Sequence, residues 1–326
     1  MKRFKNILCT VEADKPCAPM LQRAVTLAQN NQANLTVVDV VPRITAGIGM
    51  PEGGPISAEL QAALVAEHSE RLDVLLAPHR ERCAIQTRVL VGTPFLELIR
   101  AVLRDGHDLV IKAPEDPSWL DQLLGSDDMH LLRKCPCPVW LVKCGAPKAY
   151  RRVLVAVDLA DDYPAEERQT RQALNLQLLQ MAASLALAEF AELHVAHVWE
   201  AAGEAIMRSA FASMPEERIA AYVNGVRRQH EASLKALLDQ AQATLGSEGM
   251  QYLKPQQHVV RGSASREIPA LARRLDVDLI VIGTVGRSGI AGLLMGNTAE
   301  TVLYQIDCSV LAVKPAGFVS PVSVEA

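Results

Sequence analysis

The sequence is poor in aromatic residues, which make up only 4% of its 326 positions, and it contains no long apolar run. No stretch approaches the roughly 18 consecutive apolar residues that indicate a membrane-spanning helix. The net charge is −4, and no block of basic residues is longer than a few positions. The sequence therefore predicts no membrane span. It also predicts no nucleic-acid partner, because stacking on bases needs aromatic rings and binding along the phosphate backbone needs basic patches.

Signatures of catalytic and metal sites are missing as well. No Ser/His/Asp set, HExxH motif or Cys/His pair can be identified. Cys135, Cys137 and Cys144 lie close together, but prolines separate them and structural zinc normally takes four ligands. A helix end that runs into a core strand is the better explanation of this segment, although either of Cys135 or Cys137 could be an exposed thiol.

The cysteines do not indicate a disulfide framework, and the histidines do not indicate a metal site. The seven cysteines are odd in number and unevenly spaced, which predicts a reducing cytoplasm rather than a disulfide framework. His194 and His197 lie three positions apart on a predicted strand, so they face opposite sides of it and cannot hold one ion together. We therefore expect a cytoplasmic protein that carries no metal site.

The chain repeats itself. Short apolar runs alternate with amphipathic stretches in both halves, and the interval from Gly92 to Asp108 equals the interval from Gly262 to Asp278. The runs predict strands at 7–11, 35–41, 88–92, 108–113 and 139–142, and again at 153–157, 193–198, 258–262, 278–283 and 310–313. This alternation predicts an α/β fold with right-handed crossovers and a parallel sheet in each half.

The second half carries an extra helical segment. The long helical stretch of the first half covers residues 58–77, whereas its counterpart covers 204–245 and is interrupted at Pro215. The additional segment lies around residues 206–214. It could cover a pocket or contact a partner, and the sequence does not distinguish these roles.

Glycines dominate the stretch that follows the apolar run Leu279–Ile282. They are Gly283, Gly286, Gly289, Gly292 and Gly296. Asn297 and Thr298 are candidate caps of the next helix, and Glu300 lies in its first turn. A strand, a glycine-rich loop and a helix start can present backbone N–H groups to a phosphate, or the glycines can simply allow a tight connection. The loop lacks both the G-x-x-x-x-G-K-[ST] and the G-x-G-x-x-G motif.

The spacing of Gly283, Gly286 and Gly296 resembles that of the universal stress protein family, in its tandem form. The resemblance covers essentially the whole chain. It implies two open parallel five-stranded sheets flanked by helices, a Rossmann-like arrangement, in domains at 1–146 and 147–326. In the family the last strands of two units pair across a two-fold axis, so the halves should form an internal pseudo-dimer, with further homodimerisation left open.

The resemblance also implies a ligand site in the second half. In ATP-binding members of the family the glycines hold the triphosphate and ribose, and a serine or threonine normally stands where this chain has Asn297. The implied ligand-binding residues are Asp158, Ala160, Val198, Gly283, Thr284, Gly286, Arg287, Gly296, Asn297 and Thr298. Arg287 could contact phosphate or be a solvated loop residue, and Asp158 could be only a cap or turn residue.

The first half lacks these loop residues. Ala113 stands where the second half has Gly283, and Asp116 stands where it has Gly286. Glu115 and two prolines add negative charge and remove N–H donors, and Asp127 and Asp128 follow the next glycine. We therefore expect the first half to have lost nucleotide binding and to be retained for structure or for a partner.

Three functions follow from this reading. The leading one is a stress-response binding or regulatory protein that binds ATP or another adenine nucleotide, which could bring magnesium, in its C-terminal half. It would not be an enzyme beyond slow, incidental ATP hydrolysis. The alternative is a carrier of an apolar molecule, or an interaction scaffold, that uses cavities between sheet and helices. An enzyme that activates a substrate with ATP is disfavoured, and the sequence does not indicate the protein partners.

Overall fold

The computed structural model describes residues 4–44, 54–114, 126–160, 163–209, 214–245, 247–284 and 295–324. Within these ranges strands and helices alternate through two successive halves. The predicted α/β class is therefore confirmed. It follows from the sequence because short β-branched runs recur between longer stretches of helical periodicity.

The first half forms a five-stranded parallel sheet in the order β3-β2-β1-β4-β5. Its strands are β1 (Asn6–Thr10), β2 (Asn34–Val41), β3 (Ile85–Val91), β4 (Leu109–Lys112) and β5 (Val139–Leu141). The central strands β1 and β4 are almost entirely buried, as expected for a parallel sheet covered on both faces. This explains their continuous apolar runs.

Helices cover both faces of this sheet. They are α1 (Ala18–Asn31), α2 (Pro55–Leu76), α3 (Pro94–Asp105) and α4 (Asp127–Lys134), with a short 3₁₀ turn at Ala77–His79. Buried residues of α1 and α2 belong to one core layer, and those of α3 and α4 belong to the other. The first half is thus doubly wound, with the change of direction between β1 and β4.

The second half repeats this topology in the strand order β10-β9-β6-β7-β8. Its strands are β6 (Arg152–Val157), β7 (Glu192–Trp199), β8 (Gln256–Arg261), β9 (Leu279–Gly283) and β10 (Ser309–Val313). Its helices are α5 (Ala165–Glu189), α6 (Glu204–Arg208), α7 (Glu216–Leu245), α8 (Ser247–Leu253), α9 (Ala264–Arg274) and α10 (Asn297–Leu303). The helix α6 falls in the predicted insertion, and Arg208 ties it to α7 by an ion pair with Glu216.

Two glycines show how closely the halves correspond. Gly92 and Gly262 follow β3 and β8 with φ of +147° and +134°, a backbone conformation that side chains rarely adopt. A Cβ on either residue would lie 2.9 Å from the Cγ of Glu97 or Glu267, respectively. The two glutamates therefore occupy equivalent places in the two halves.

The halves join through their last strands. Strands β5 and β10 pair antiparallel, with Val310 opposite Leu141 and Ala312 opposite Val139. The two parallel sheets thereby become one ten-stranded sheet, and the predicted internal pseudo-dimer is confirmed. Trp140 of β5 is buried near Tyr150, with ring centroids 6.1 Å apart, so the join has its own aromatic core.

The segment between the halves is held against α1. The guanidinium of Arg23 lies 3.4 Å from the centroid of the Tyr150 ring and donates to the carbonyl of Pro147 at 2.7 Å. The same guanidinium forms an ion pair with Glu189 at the end of α5. This buried arginine therefore contacts both halves and the connection between them.

The structure corrects the expectation about disulfides. Cys17 and Cys144 form a disulfide, with Cα atoms 5.2 Å apart and 127 positions of sequence between them. It links the residue before α1 to the segment after β5, which lies beside α1 only in the folded chain. Sequence spacing therefore could not indicate the pair. Cys135 and Cys137 are also buried, at 0% and 9% exposure, so the alternative of an exposed thiol is wrong.

Candidate functional site

The topology brings two strand ends together in the second half. Strands β6 and β9 are parallel neighbours, and the chain continues from β6 towards β7 on one side and from β9 towards β10 on the other. Helices α5 and α10, which follow these two strands, lie in different core layers. In open parallel sheets the crevice at such a switch point is where ligands bind. Asp158 and Thr284 are the first residues after the two strands.

Asp158 is held by three donors. Arg171 donates to its Oδ2 at 2.6 Å, the Tyr163 hydroxyl donates to the same oxygen at 3.1 Å, and the Ala160 amide donates to Oδ1 at 3.2 Å. The last contact is a turn of the type that aspartate forms with its own backbone. The Asp158 side chain is still 45% exposed. It is therefore both a turn residue and accessible.

The sequence missed the polar residues that support Asp158. Asn175 of α5 is buried, accepts from the Asp158 amide at 3.0 Å and donates to its carbonyl. Arg171 and Tyr163 join it at the end of β6, and the Arg171 guanidinium lies 3.6 Å from the centroid of the Tyr163 ring. These contacts depend on how α5 docks on the sheet, and sequence periodicity does not determine that docking.

Ala160 and Val198 lie at the same edge of the sheet. Ala160 is half-buried in the loop after β6. Val198 is the next-to-last residue of β7, pairs with Val260 of β8 and packs on the core layer that contains α9 and α10. Together with Asp158 these two predicted site residues occupy the carboxyl end of the sheet.

Gly283 lies close to α5. A Cβ at this position would lie 2.9 Å from the Cδ2 of Leu174, so a larger residue would make the end of that leucine side chain shift. In the first half Ala113 takes the equivalent position and packs on the core. This glycine is explained by the contact between strand and helix and does not by itself indicate a ligand.

Hydrogen bonds join Thr284 and Gly296, the residues at the two ends of the glycine-rich loop. The Thr284 amide donates to the Val313 carbonyl at 3.1 Å, and the Gly296 amide donates to the Thr284 carbonyl at 2.9 Å. The Thr284 side chain is buried, and its hydroxyl accepts from Lys314 Nζ at 2.6 Å. The loop therefore starts and ends at one point beside β9 and β10. Gly286 and Arg287 fall outside the described residues.

The cap of α10 differs from the prediction. Gly296 is the N-cap, with φ of −65° and ψ of 136°, and no side chain bonds to the helix start. Asn297 and Thr298 are the first two helical residues and are exposed. The prediction that they cap the helix is wrong, because the extended backbone of Gly296 places the helix start one position earlier. Glu300 lies in the first turn, as predicted.

The corresponding region of the first half contains a buried ion pair. Lys112 Nζ at the end of β4 lies 2.8 Å from Asp128 Oδ1 in the first turn of α4, and both side chains are less than 10% exposed. Ser126 caps this helix by accepting from the Met129 amide. Asp128 was expected to repel a phosphate, but Lys112 balances its charge. In the second half Ile282 and Ala299 occupy the equivalent positions.

A cavity of about 290 Å³ borders Asp158 between α5 and α7. It is lined by Asp158, Leu159, Ala160, Arg168, Arg171, Gln172, Asn175, Ser233, Ala236, Leu237 and Gln240. The volume is at the lower end of the range for small-molecule sites. The walls combine apolar surface with several hydrogen-bonding side chains, as is usual for a small-molecule site.

Histidines form two separate pairs. His194 Nδ1 lies 3.1 Å from His258 Nε2, and His197 Nε2 lies 2.9 Å from His230 Nδ1. His194 and His197 therefore have different partners, as their spacing predicted. Burial lowers the pKa of His194 and of His258 below the ordinary histidine value.

Two further searches concern metals and membranes. In the described ranges no three His, Cys, Asp or Glu side chains are grouped so that they could hold a metal ion. Of the helices that the structure describes, none is long and apolar enough to cross a membrane.

Comparisons with known proteins agree with the repeat. The family model of the universal stress protein family matches residues 3–143 and again residues 149–314. Universal stress protein E of Escherichia coli strain K12 is 30% identical over 332 residues, which cover 100% of this chain and 98% of that protein. The Universal stress protein E homolog of Haemophilus influenzae is 30% identical over 96% of this chain and 98% of its own length.

Solved structures give the same result. A universal stress protein structure from Pseudomonas aeruginosa UCBPP-PA14 is 25% identical with a TM-score of 0.69, covering 96% of this chain and 94% of that chain. A universal stress protein from Archaeoglobus fulgidus DSM 4304 is 17% identical with a TM-score of 0.59, covering 95% and 98%, and it supports the fold alone. With two matches to the family model that together span nearly the whole sequence, the chain belongs to the universal stress protein family as a tandem member.

Proposed function

We propose that this protein is a stress-response binding protein that takes one adenine nucleotide, ATP or a relative of it, at the switch point of its C-terminal half. The observation that carries the proposal is the hydrogen bond from the Gly296 amide to the Thr284 carbonyl beside β9. It holds both ends of the glycine-rich loop at the strand end that neighbours Asp158. A loop that starts and ends at this point has its glycine-rich sequence beside the place where backbone N–H groups could meet a phosphate.

The remaining site residues fit such a ligand. Asp158 is partly exposed and can accept from a ribose hydroxyl or a base amino group. Thr298 is exposed and carries the hydroxyl that the family pattern expects one position earlier, while Asn297 offers both a donor and an acceptor. Phosphates of the nucleotide could bring magnesium, for which they would supply ligands themselves.

We place the division between the halves at residues 146 and 147 and propose that only the second half binds nucleotide. In the first half, charged Lys112 and Asp128 occupy the positions of apolar Ile282 and Ala299. Acidic Asp116 replaces Gly286 in the loop sequence. The first half then serves as the structural partner across β5 and β10.

The proposed role is binding rather than turnover. Rapid ATP hydrolysis needs a base or metal ion positioned on the attacking water, and our proposal assigns no residue to that task. Any hydrolysis would therefore be slow and incidental. We also propose that the protein works in the cytoplasm, where adenine nucleotides are abundant.

A pair of reciprocal variants tests the nucleotide site by calorimetric titration with ATP. Gly286→Asp copies the residue of the first half into the second, and we expect loss of binding because the carboxylate repels phosphate. Asp116→Gly makes the opposite change in the first half and should leave one site per chain. Unchanged affinity in Gly286→Asp would show that the site is wrongly placed.

The alternative function is a carrier of a small apolar molecule or an interaction scaffold. The cavity beside Asp158 has both apolar walls and the polar side chains of Arg168, Arg171 and Asn175, so its lining does not decide between the two functions. The same titration separates the two functions. A carrier or scaffold would show no ATP binding in this titration, and Gly286→Asp would not change the binding of its own ligand or partner.

A further inference from the structure

Two thiols lie side by side where α4 leads into β5. Cys135 is the C-cap of α4, and its Sγ lies 3.6 Å from the Sγ of Cys137. Cys135 is fully buried, and Cys137 is 9% exposed. The proposed nucleotide site uses neither thiol, and the disulfide between Cys17 and Cys144 does not involve them.

A buried lysine from the other half lies near this pair. Lys314 follows β10 and is 5% exposed, and its Nζ donates to the Leu132 carbonyl of α4 and to the Thr284 hydroxyl. Both of these acceptors are neutral oxygens, and the third described neighbour is the Phe318 ring, whose centroid lies 5.1 Å from Nζ. Burying an ammonium group is costly unless a negative charge is close by. Among the described residues, Cys135 is the group whose charge interaction raises the pKa of Lys314, against the lowering caused by burial.

The pseudo-two-fold axis supplies a comparison inside the same chain. Lys143 follows β5 as Lys314 follows β10, and Lys143 forms an ion pair with Asp307, two residues before Ser309 of β10. The position equivalent to Asp307 in the first half is Pro136, between the two cysteines. On one side of the axis the lysine therefore meets a carboxylate. On the other side the lysine donates to Leu132 and Thr284 and interacts electrostatically with Cys135 of the dithiol.

The electrostatics of the thiols follow from this environment. Burial opposes ionisation of Cys135, but the hydrogen bond from Cys137 and the charge of Lys314 outweigh it, so the pKa of Cys135 lies below the ordinary cysteine value. The pKa of Cys137 is raised by that hydrogen bond and by burial. Burial raises the pKa of Cys308, the counterpart of Cys137, to about 12. The dithiol therefore has one sulfur whose pKa is lowered and a second whose pKa is raised, whereas the pKa of Cys308 is only raised.

We propose that Cys135 and Cys137 are a redox modification site, in which a hydroperoxide oxidises Cys135 and Cys137 closes the disulfide. The carrying observation is the 3.6 Å approach of the two sulfurs next to buried Lys314, which stands where the other half has an ion pair. Both residues are buried, and only Cys137 keeps some exposed surface, 9%, so a molecule as small as hydrogen peroxide would approach the pair from its side.

The reaction balances with one peroxide per pair. The Cys135 thiolate attacks one peroxide oxygen, the O–O bond breaks, and the leaving hydroxide takes a proton and becomes water. The Cys137 sulfur then attacks the resulting sulfenic acid, and the S–S bond forms as a second water leaves with the Cys137 proton. Two thiols lose two electrons, and hydrogen peroxide gains them.

The test is peroxide oxidation of the full-length protein at neutral pH, followed by alkylation, trypsin and mass spectrometry. Trypsin releases residues 135–143 as one peptide, which contains both cysteines and excludes Cys144. We expect this peptide to lose two hydrogens and both alkylation sites, while the peptide with Cys308 is alkylated as before. Cys308 oxidising as fast as the pair would overturn the proposal.

Matched lysine variants test the role of Lys314. Lys314→Met should slow oxidation of the 135–143 peptide, because loss of the neighbouring positive charge lowers the thiolate fraction of Cys135. Lys143→Met makes the same change across the pseudo-axis and should alter the rate by less than about twofold. This variant lacks the trypsin site after residue 143, so the pair is followed there in the longer peptide 135–148, which also contains Cys144. Equal effects of the two variants would contradict the proposal.

A third comparison does not depend on the lysines. In Cys137→Ser the sulfenic acid at Cys135 has no thiol partner, so a dimedone adduct should accumulate at Cys135. In Cys135→Ser the remaining Cys137 should give little adduct, because its thiol stays protonated. The reverse pattern, or adducts at neither cysteine, would rule out the assigned roles.

Discussion

Arg171 Nη1 lies 2.6 Å from Asp158 Oδ2 at the carboxyl end of β6, where it occupies one oxygen of the carboxylate that the nucleotide hypothesis assigns to the ligand. Arg171 also pairs with Glu167 one turn earlier on α5. A ligand that hydrogen-bonds to Asp158 must therefore compete with an existing ion pair. The strength of this competition can be measured.

Replacing Arg171 should strengthen nucleotide binding. Arg171→Gln removes the competing charge, and a partly exposed ion pair of this kind contributes about 0.5–1 kcal/mol, which corresponds to roughly twofold to fivefold in affinity. Arg168→Gln is the matched control, because Arg168 lines the same cavity and is exposed. ATP titration of both variants checks the expectation. Weaker binding in Arg171→Gln would instead mean that Arg171 contacts the nucleotide.

Gly283→Ala should destabilise the fold. The new methyl group would lie 2.9 Å from Leu174 Cδ2, and because the end of the leucine can shift, the loss should be at the lower end of overpacking costs, about 1 kcal/mol. Urea unfolding measures the loss. The double variant Gly283→Ala with Leu174→Ala tests the cause, since removing the leucine side chain should make the alanine nearly neutral. Additive losses in the double variant would contradict the packing explanation.

The disulfide between Cys17 and Cys144 should stabilise the chain by about 3–5 kcal/mol, because it closes a long loop in the unfolded state. Adding a thiol reductant should lower the urea midpoint of the wild type. Cys144→Ser should already have the lower midpoint and should not respond to the reductant. A wild-type midpoint that is insensitive to reduction would argue that the bond does not contribute to stability.

Lys314 should make stability depend on pH in a specific window. Burial lowers the pKa of Lys314 from 10.5 to about 8, so the unfolded chain binds more protons than the folded chain between these values. Stability should therefore rise as the pH increases from about 8 to about 10.5, by up to about 3 kcal/mol. Lys314→Met should remove that rise and be more stable than the wild type at neutral pH. Parallel profiles for the two proteins would contradict the assignment.

The fold could be predicted from the sequence because its signals are local. Apolar runs of four to seven residues recur at matching intervals, and Gly92 and Gly262 follow the third strand of each half at equivalent positions. The pairing of β5 with β10 came from the family resemblance rather than from periodicity. It is confirmed by the register of Val310 opposite Leu141.

The contacts of the candidate site were less predictable. Asp158 could be assigned to a strand end, but its pairing with Arg171 requires the docking angle of α5, which no local pattern encodes. The cap of α10 was misplaced by one position, since glycine and asparagine are both acceptable caps and only the backbone angles of Gly296 distinguish them. Cys17 and Cys144 meet only after the chain has completed its first half.

The most direct test of the central claim is the number of adenine nucleotides bound per chain. The freshly purified protein is denatured, released small molecules are quantified by mass spectrometry, and the stripped protein is titrated with ATP. The proposed function predicts one nucleotide per chain, with one site recovered in the titration. Two nucleotides would contradict the assigned asymmetry of the halves. No nucleotide together with no ATP binding would contradict the nucleotide site altogether.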